Sequence, residues 1–169
     1  QQRNDIVAVS GQSIRRKEDI RFITGKGRYT DDVNLPDQCH AIFARSPVAH
    51  ANITSIDTSV AAEMPGVRLV LTGADYAESG LGTLVCGWMI HSKDGSEMKP
   101  GVHPPLAQGK VRHVGDPVAV VIADSREMAR DAAEMIEVEY EDLAAVVSLK
   151  SAAGHESSVH NDVPGNVAF

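Results

Sequence analysis

Residues 117–136 read Pro-Val-Ala-Val-Val-Ile-Ala-Asp-Ser-Arg-Glu-Met-Ala-Arg-Asp-Ala-Ala-Glu-Met-Ile, an aliphatic run that passes directly into a charged, periodic one. Val118–Ile122 leave no polar face, so they predict the central strand of a sheet. From Asp124 onward the period lengthens to that of a helix. Met128, Ala132, Met135 and Ile136 fall on one face and Ala129 and Ala133 widen it, which predicts an amphipathic helix over 124–136. Asp124 and Glu127 have the spacing of a capping box, so Asp124 is expected to cap it. Glu137–Tyr140 then alternates as a strand, and Ala144–Val147 is expected to continue that strand after Glu141-Asp142.

Toward the N-terminus, Lys110–Val114 predicts a further strand, with Gly115-Asp116-Pro117 as the bend that joins it to the central one. Val67–Leu71 is expected to be a buried strand, and Thr72 a cap for a short helix over Gly73–Glu78. Cys39–Arg45 and Ala51–Asp57 both alternate as strands, and the second is expected to lie antiparallel to the first. Thr58–Met64 suits a helix closed by Pro65-Gly66. Ser13–Ile23, with Ile14, Ile20 and Ile23 among charges, predicts a short charged helix or turn. Asp31-Asp32 and Pro36-Asp37 mark turns. Between Ser79 and Leu106 the periodicity disappears into glycines and prolines, yet Leu81, Leu84, Val85, Trp88, Met89 and Ile90 make this loop unusually apolar. A loop beyond about 12–15 residues is usually functional or covered by a partner. The tail 151–169 carries no period.

The 169 residues are 43% hydrophobic and 23% charged, as in ordinary globular chains. A chain of this length buries roughly 70% of its unfolded surface and needs no covalent staple. A net charge of −7 lacks the basic footprint of a nucleic-acid binder. No apolar run approaches the roughly 18 residues of a membrane span. Residues 1–10 lack the basic-then-apolar order of a signal peptide. Cys39 and Cys86 form no C-x-x-C pair, which fits a reducing cytoplasm.

No residue emerges as catalytic, cofactor-binding or metal-ligating. The seven histidines include no pair at the H-x-x-x-H or H-E-x-x-H spacing that would put two imidazoles on one helix face. Gly25-x-Gly27 would need a third glycine where Thr30 stands, so a turn is the simpler reading than a phosphate cradle. Met98-Lys99 is followed by Pro100, which disfavours a hairpin tip of the modified-lysine kind. The serines lack a G-x-S-x-G context, and neither cysteine has an activating motif. The run Arg15-Arg16-Lys17-Glu18-Asp19 reads as a solvated face with weak ion pairs.

Five stretches taken together carry a resemblance: R-R-K-E-D-I-R-F-I-T-G-K-G-R-Y-T-D-D-V-N-L-P at 15–36, A-R-S-P-V-A-H-A-N-I at 44–53, P-G-V-R-L-V-L-T-G-A-D at 65–75, P-x-L-A-Q-G-K-V-R-H-V-G-D-P-V-A-V-V-I-A-D-S at 104–125, and A-R-D-A-A-E-M-I-E-V-E-Y-E-D-L at 129–143. In order and spacing they resemble the N-terminal α/β hammerhead domain of the molybdopterin-binding large subunit in the xanthine dehydrogenase and aldehyde oxidase family. V-C-G-W-M-I-H-S-K-D-G-S-E-M-K at 85–99 is most similar to large chains of the aerobic carbon monoxide dehydrogenase type.

The resemblance implies an α+β fold with a mixed sheet, two main packed helices and a long irregular loop. It also implies an extension over 1–12, the hammerhead domain over 13–150, and an exit segment over 151–169 leading toward molybdenum-binding domains. The whole enzyme would be an oxidoreductase that inserts water-derived oxygen at a molybdopterin cofactor, with iron-sulphur clusters and FAD on partner subunits. The chain itself is then expected to hold no cofactor and catalyse nothing alone. It would brace the cofactor domains and contact the iron-sulphur and flavin subunits and a second copy of the large chain. The alternative is a stand-alone small-ligand-binding module with the 79–106 loop as its lid.

Overall fold

The computed structural model describes residues 11, 13, 15–154 and 157–169. The chain divides into two compact units, 1–38 and 39–169. In the first, helix α1 (Asp19–Ile23) occupies only the end of the expected 13–23 element, and a 3-10 turn covers Thr30–Asp32. Phe22 and Tyr29 stack with ring centres 5.3 Å apart. Ile14, and residues 1–10 and 12 of the expected extension, lie outside the described residues.

The second unit carries strands β1 (His40–Arg45), β2 (Ala51–Asp57), β3 (Val67–Thr72), β4 (Lys110–Val111), β5 (Pro117–Ala123) and β6 (Glu137–Asp142). Its helices are α2 (Ser59–Glu63), α3 (Gly73–Glu78), α4 (Arg126–Glu134) and α5 (Leu149–Ala153). The α+β class holds, with the sheet resolved into two antiparallel ones, in the orders β1-β5-β3 and β4-β2-β6. β5 is central, as its aliphatic run demands. Val121 and Ala123 are fully buried against Ala61 of α2 and Ala129 and Ala132 of α4. A second cluster of Ala51, Ala107, Val111 and Val118 ties the sheets together, with Ala44, Val138 and Tyr140 at its margin.

Several expectations are corrected. β2 does not pair with β1. After Arg45, the Ser46 N–H donates to Asp116 O at 2.9 Å and Ser46 O accepts from the Gly115 N–H at 2.8 Å, which turns the chain out of the first sheet. Both neighbours of β5 therefore come from far along the chain. β3 is an edge strand rather than a buried one, with Leu69 45% exposed. Helix α4 is capped by Ser125, whose Oγ accepts the Met128 N–H at 3.2 Å. Asp124 instead accepts from Arg68 Nε and Nη2 at 2.7 and 3.1 Å. The buried stripe of α4 is alanine; Met128 and Met135 stay exposed.

β4 is shorter than expected because the Arg112 N–H leaves the ladder for Asp116 Oδ2, at 2.9 Å. Residues 144–147 form no strand: the Leu143 N–H donates to His50 O, and Ala144 O meets His50 Nδ1 at 2.8 Å. The aperiodic tail contains the start of order that periodicity missed. α5 runs across residue 150, capped by Ser148, and a 3-10 turn covers Pro164–Asn166.

Candidate functional site

Thr72 Oγ1 caps α3 by accepting the Asp75 N–H at 3.4 Å, while Asp75 Oδ2 accepts from both the Thr72 N–H and hydroxyl at 2.7 Å. These hydrogen bonds hold the Asp75 carboxyl below its ordinary range. The capped helix delivers the chain into the 79–106 loop, which has internal order despite its aperiodic sequence. The Leu84 N–H donates to His103 O at 2.9 Å, tying the two limbs together, and the Met98 N–H donates to Ile90 O at 3.0 Å. His91 and Glu97 bridge as antiparallel neighbours. The tip is a turn at Asp94-Gly95, where Asp94 Oδ1 accepts from the Ser96 N–H and hydroxyl and Gly95 takes φ +86°. Lys99 lies away from that tip, as Pro100 implied.

The outer limb of the loop exposes its apolar side chains. Leu81 and Leu84 are more than half exposed, Trp88 is 81% exposed and Val85 88%. They have not folded back on the core.

At the root of the loop the fold assembles polar groups that sequence spacing does not connect. Asp116, in the expected bend, is 7% exposed and organises the corner through the Arg112 N–H. His113 Nδ1 stands 3.7 Å from its carboxylate. His103, Arg112, His113, Asp116 and His160 line a pocket of about 40 Å³, room for a water-sized guest. Burial, then the nearby Arg112, holds the His160 imidazole below its ordinary value, and its Nδ1 is buried without a hydrogen-bond partner among the described residues. Tyr140, in the second core, has its phenol pushed up by burial. Separately, an open groove of about 440 Å³ runs between β1, α4 and β6, past Phe43, Arg130 and Val138.

Among the described residues, no three His, Cys, Asp or Glu side chains are arranged to hold a metal ion. Nor is any described helix long and apolar enough to cross a membrane.

The family model for "Aldehyde oxidase and xanthine dehydrogenase, a/b hammerhead domain" matches residues 24–144. The nicotine 6-hydroxylase large subunit of Paenarthrobacter nicotinovorans is 41% identical over 161 residues, covering 95% of this chain and 19% of its own length. Quinoline 2-oxidoreductase of Pseudomonas putida 86 superposes with a TM-score of 0.82 at 43% identity, over 94% of this chain and 20% of the other. The Cu,Mo-containing carbon monoxide dehydrogenase superposes with a TM-score of 0.69 at 40% identity, over 88% of this chain and 17% of the other. The chain thus spans about a fifth of the length of the relatives it matches.

Proposed function

Since this chain belongs to the aldehyde oxidase and xanthine dehydrogenase family through its a/b hammerhead domain, we propose that it is the structural and assembly domain of a molybdenum hydroxylase large subunit. In this reading residues 13–150 are the hammerhead domain, 1–12 an extension, and 151–169 lead toward cofactor-binding domains of a larger subunit. The oxidation, with oxygen drawn from water, belongs to a molybdopterin cofactor held by those other domains. Iron-sulphur and flavin subunits and a second large chain are its partners, in the cytoplasm. This chain's own residues supply a braced scaffold and a contact surface.

The observation that carries the reading is the exposed row Leu81, Leu84, Val85 and Trp88. Large apolar side chains left exposed together in one loop support a surface that partners cover. Amide hydrogen exchange in the isolated chain and in an assembled enzyme carrying it tests this. Residues 82–101 are expected to exchange much more slowly in the assembly, and Trp88, the only tryptophan, to lose its accessibility to a soluble quencher. Equal protection in both states would remove the docking role. Elemental analysis and an absorption spectrum of the purified chain complete the test, with neither stoichiometric molybdenum nor flavin expected.

A further inference from the structure

We propose that residues 157–169 form an acid-released clasp on the root of the 79–106 loop, seated on the uncharged ring of His160. The purpose of the clasp, to set the posture of the loop, rests on the docking reading above; its chemistry does not.

The clasp holds two strands of irregular chain together. The Lys99 N–H donates to Ala168 O at 2.8 Å. Arg112 Nε donates to Val159 O at 3.3 Å. Asn166 knits the segment internally: its Oδ1 accepts the Val159 N–H at 2.9 Å and its Nδ2 donates to Ser157 O at 2.6 Å. Val163 is 6% exposed, so the segment is also anchored by burial.

His160 is the contact between this segment and the loop. A Cβ built on Gly101, whose φ is +72°, would lie 2.8 Å from His160 Nδ1, so the loop backbone rests directly on the ring. Only glycine supplies both that φ and that approach. Because Nδ1 is buried and has no partner among the described residues, the proton of the neutral ring belongs on Nε2. Adding a second proton at Nδ1 would create a buried donor with no acceptor, which costs its full desolvation.

The charged surroundings are mixed, with Arg112 the strongest of them. Arg112 and His103 oppose the added charge, and Asp162 and Asp116 favour it. Lys99 lines the neighbouring cavity, adding a cationic group on that side, and His113 lines the same small pocket. Asp116 is already engaged by the Arg112 N–H and by His113. The closed clasp therefore binds fewer protons than the open one. Its stability is fully present above the ordinary histidine value of about 6.5 and is lost as pH falls through the depressed value of the closed state.

Amide exchange of the 169-residue chain, corrected for intrinsic rates, is compared at about pH 7.5 and about pH 5, on either side of the ordinary histidine range. Residues 97–103 and 159–168 are expected to lose protection by roughly tenfold on acidification, while β5 keeps its protection. His160→Phe, which retains a flat ring without the proton, should make the two segments insensitive to pH. Unchanged protection in the wild-type chain, or the same acid loss in H160F, would overturn the proposal. If H160F fails to fold, an NMR titration of the wild-type ring decides. A value at or above the ordinary one sinks the clasp, and a lower one supports it. None of these readouts involves a partner, so the clasp and the docking surface fail separately.

Discussion

The carbonyl oxygen of Ala107 occupies the space beside Gly73 in which a side-chain carbon would have to sit. Neither backbone can yield. The Ala107 N–H donates to Pro117 O at 2.7 Å, and Gly73 is the buried first residue of a capped helix. Gly73→Ala is expected to destabilise the chain by about 2–3 kcal/mol, the scale of overpacking a fixed core. Urea melts followed by far-ultraviolet circular dichroism measure it, and a loss of a few tenths would show that the two backbones can part.

Along β5 the two central valines are not equivalent. Val121 is fully buried between α2 and α4, whereas Val120 is only half-buried. Val121→Ala should cost about 2–3 kcal/mol through lost methyls and the cavity left behind, and Val120→Ala about 1 kcal/mol. Paired chemical melts rank them. The reverse order would invert the facing of the strand.

Ser125, rather than the preceding aspartate, starts α4. Replacing it with alanine removes the acceptor for the Met128 N–H and should cost about 1 kcal/mol. Asp124→Ala should leave the helix start intact, which amide exchange at Met128 reads directly. Faster exchange there in the Asp124 variant alone would restore Asp124 as the cap.

The Thr72–Asp75 box has a pH signature. Asp75 is held low by hydrogen bonds from Thr72, first from its side chain and then from its backbone. Its contribution to the cap is present above the ordinary carboxyl value of about 3.9 and is lost as pH falls through the lower folded value. Thr72→Val removes the hydroxyl donor and should move the Asp75 titration, followed by carboxyl-carbon NMR, upward toward the ordinary range. An unchanged titration would assign the shift to the backbone alone.

The local elements of the fold were legible in the sequence where a period or a cap is written within a few residues. Val118–Ile122 announces a central strand, Thr72 a helix start, and the crowd of glycines and prolines in 79–106 an irregular loop. Strand pairing was not legible in the same way. Cys39–Arg45 and Ala51–Asp57 look like natural neighbours by proximity, but β1 pairs with β5, whose Ala119, Val121 and Ala123 make one fully buried face. The choice of Ser125 over Asp124 turned on a contact from Arg68, 56 residues away. The polar cluster at the loop root had no signal at all, since His103, Arg112, Asp116 and His160 share no spacing and meet only once the tail has folded back.

The strand order has a consequence during synthesis. β1 and β3 leave the ribosome long before β5, to which both bind, and β2 waits for β4 and β6. Until about residue 123 has emerged the first sheet has no centre, and its apolar segments have no neighbour to pair with. Such long-range pairing is slow, and unpaired strands are open to association between chains in the interval. A nascent chain arrested before Pro117 should therefore depend on chaperone binding, and one extended past Asp142 should not.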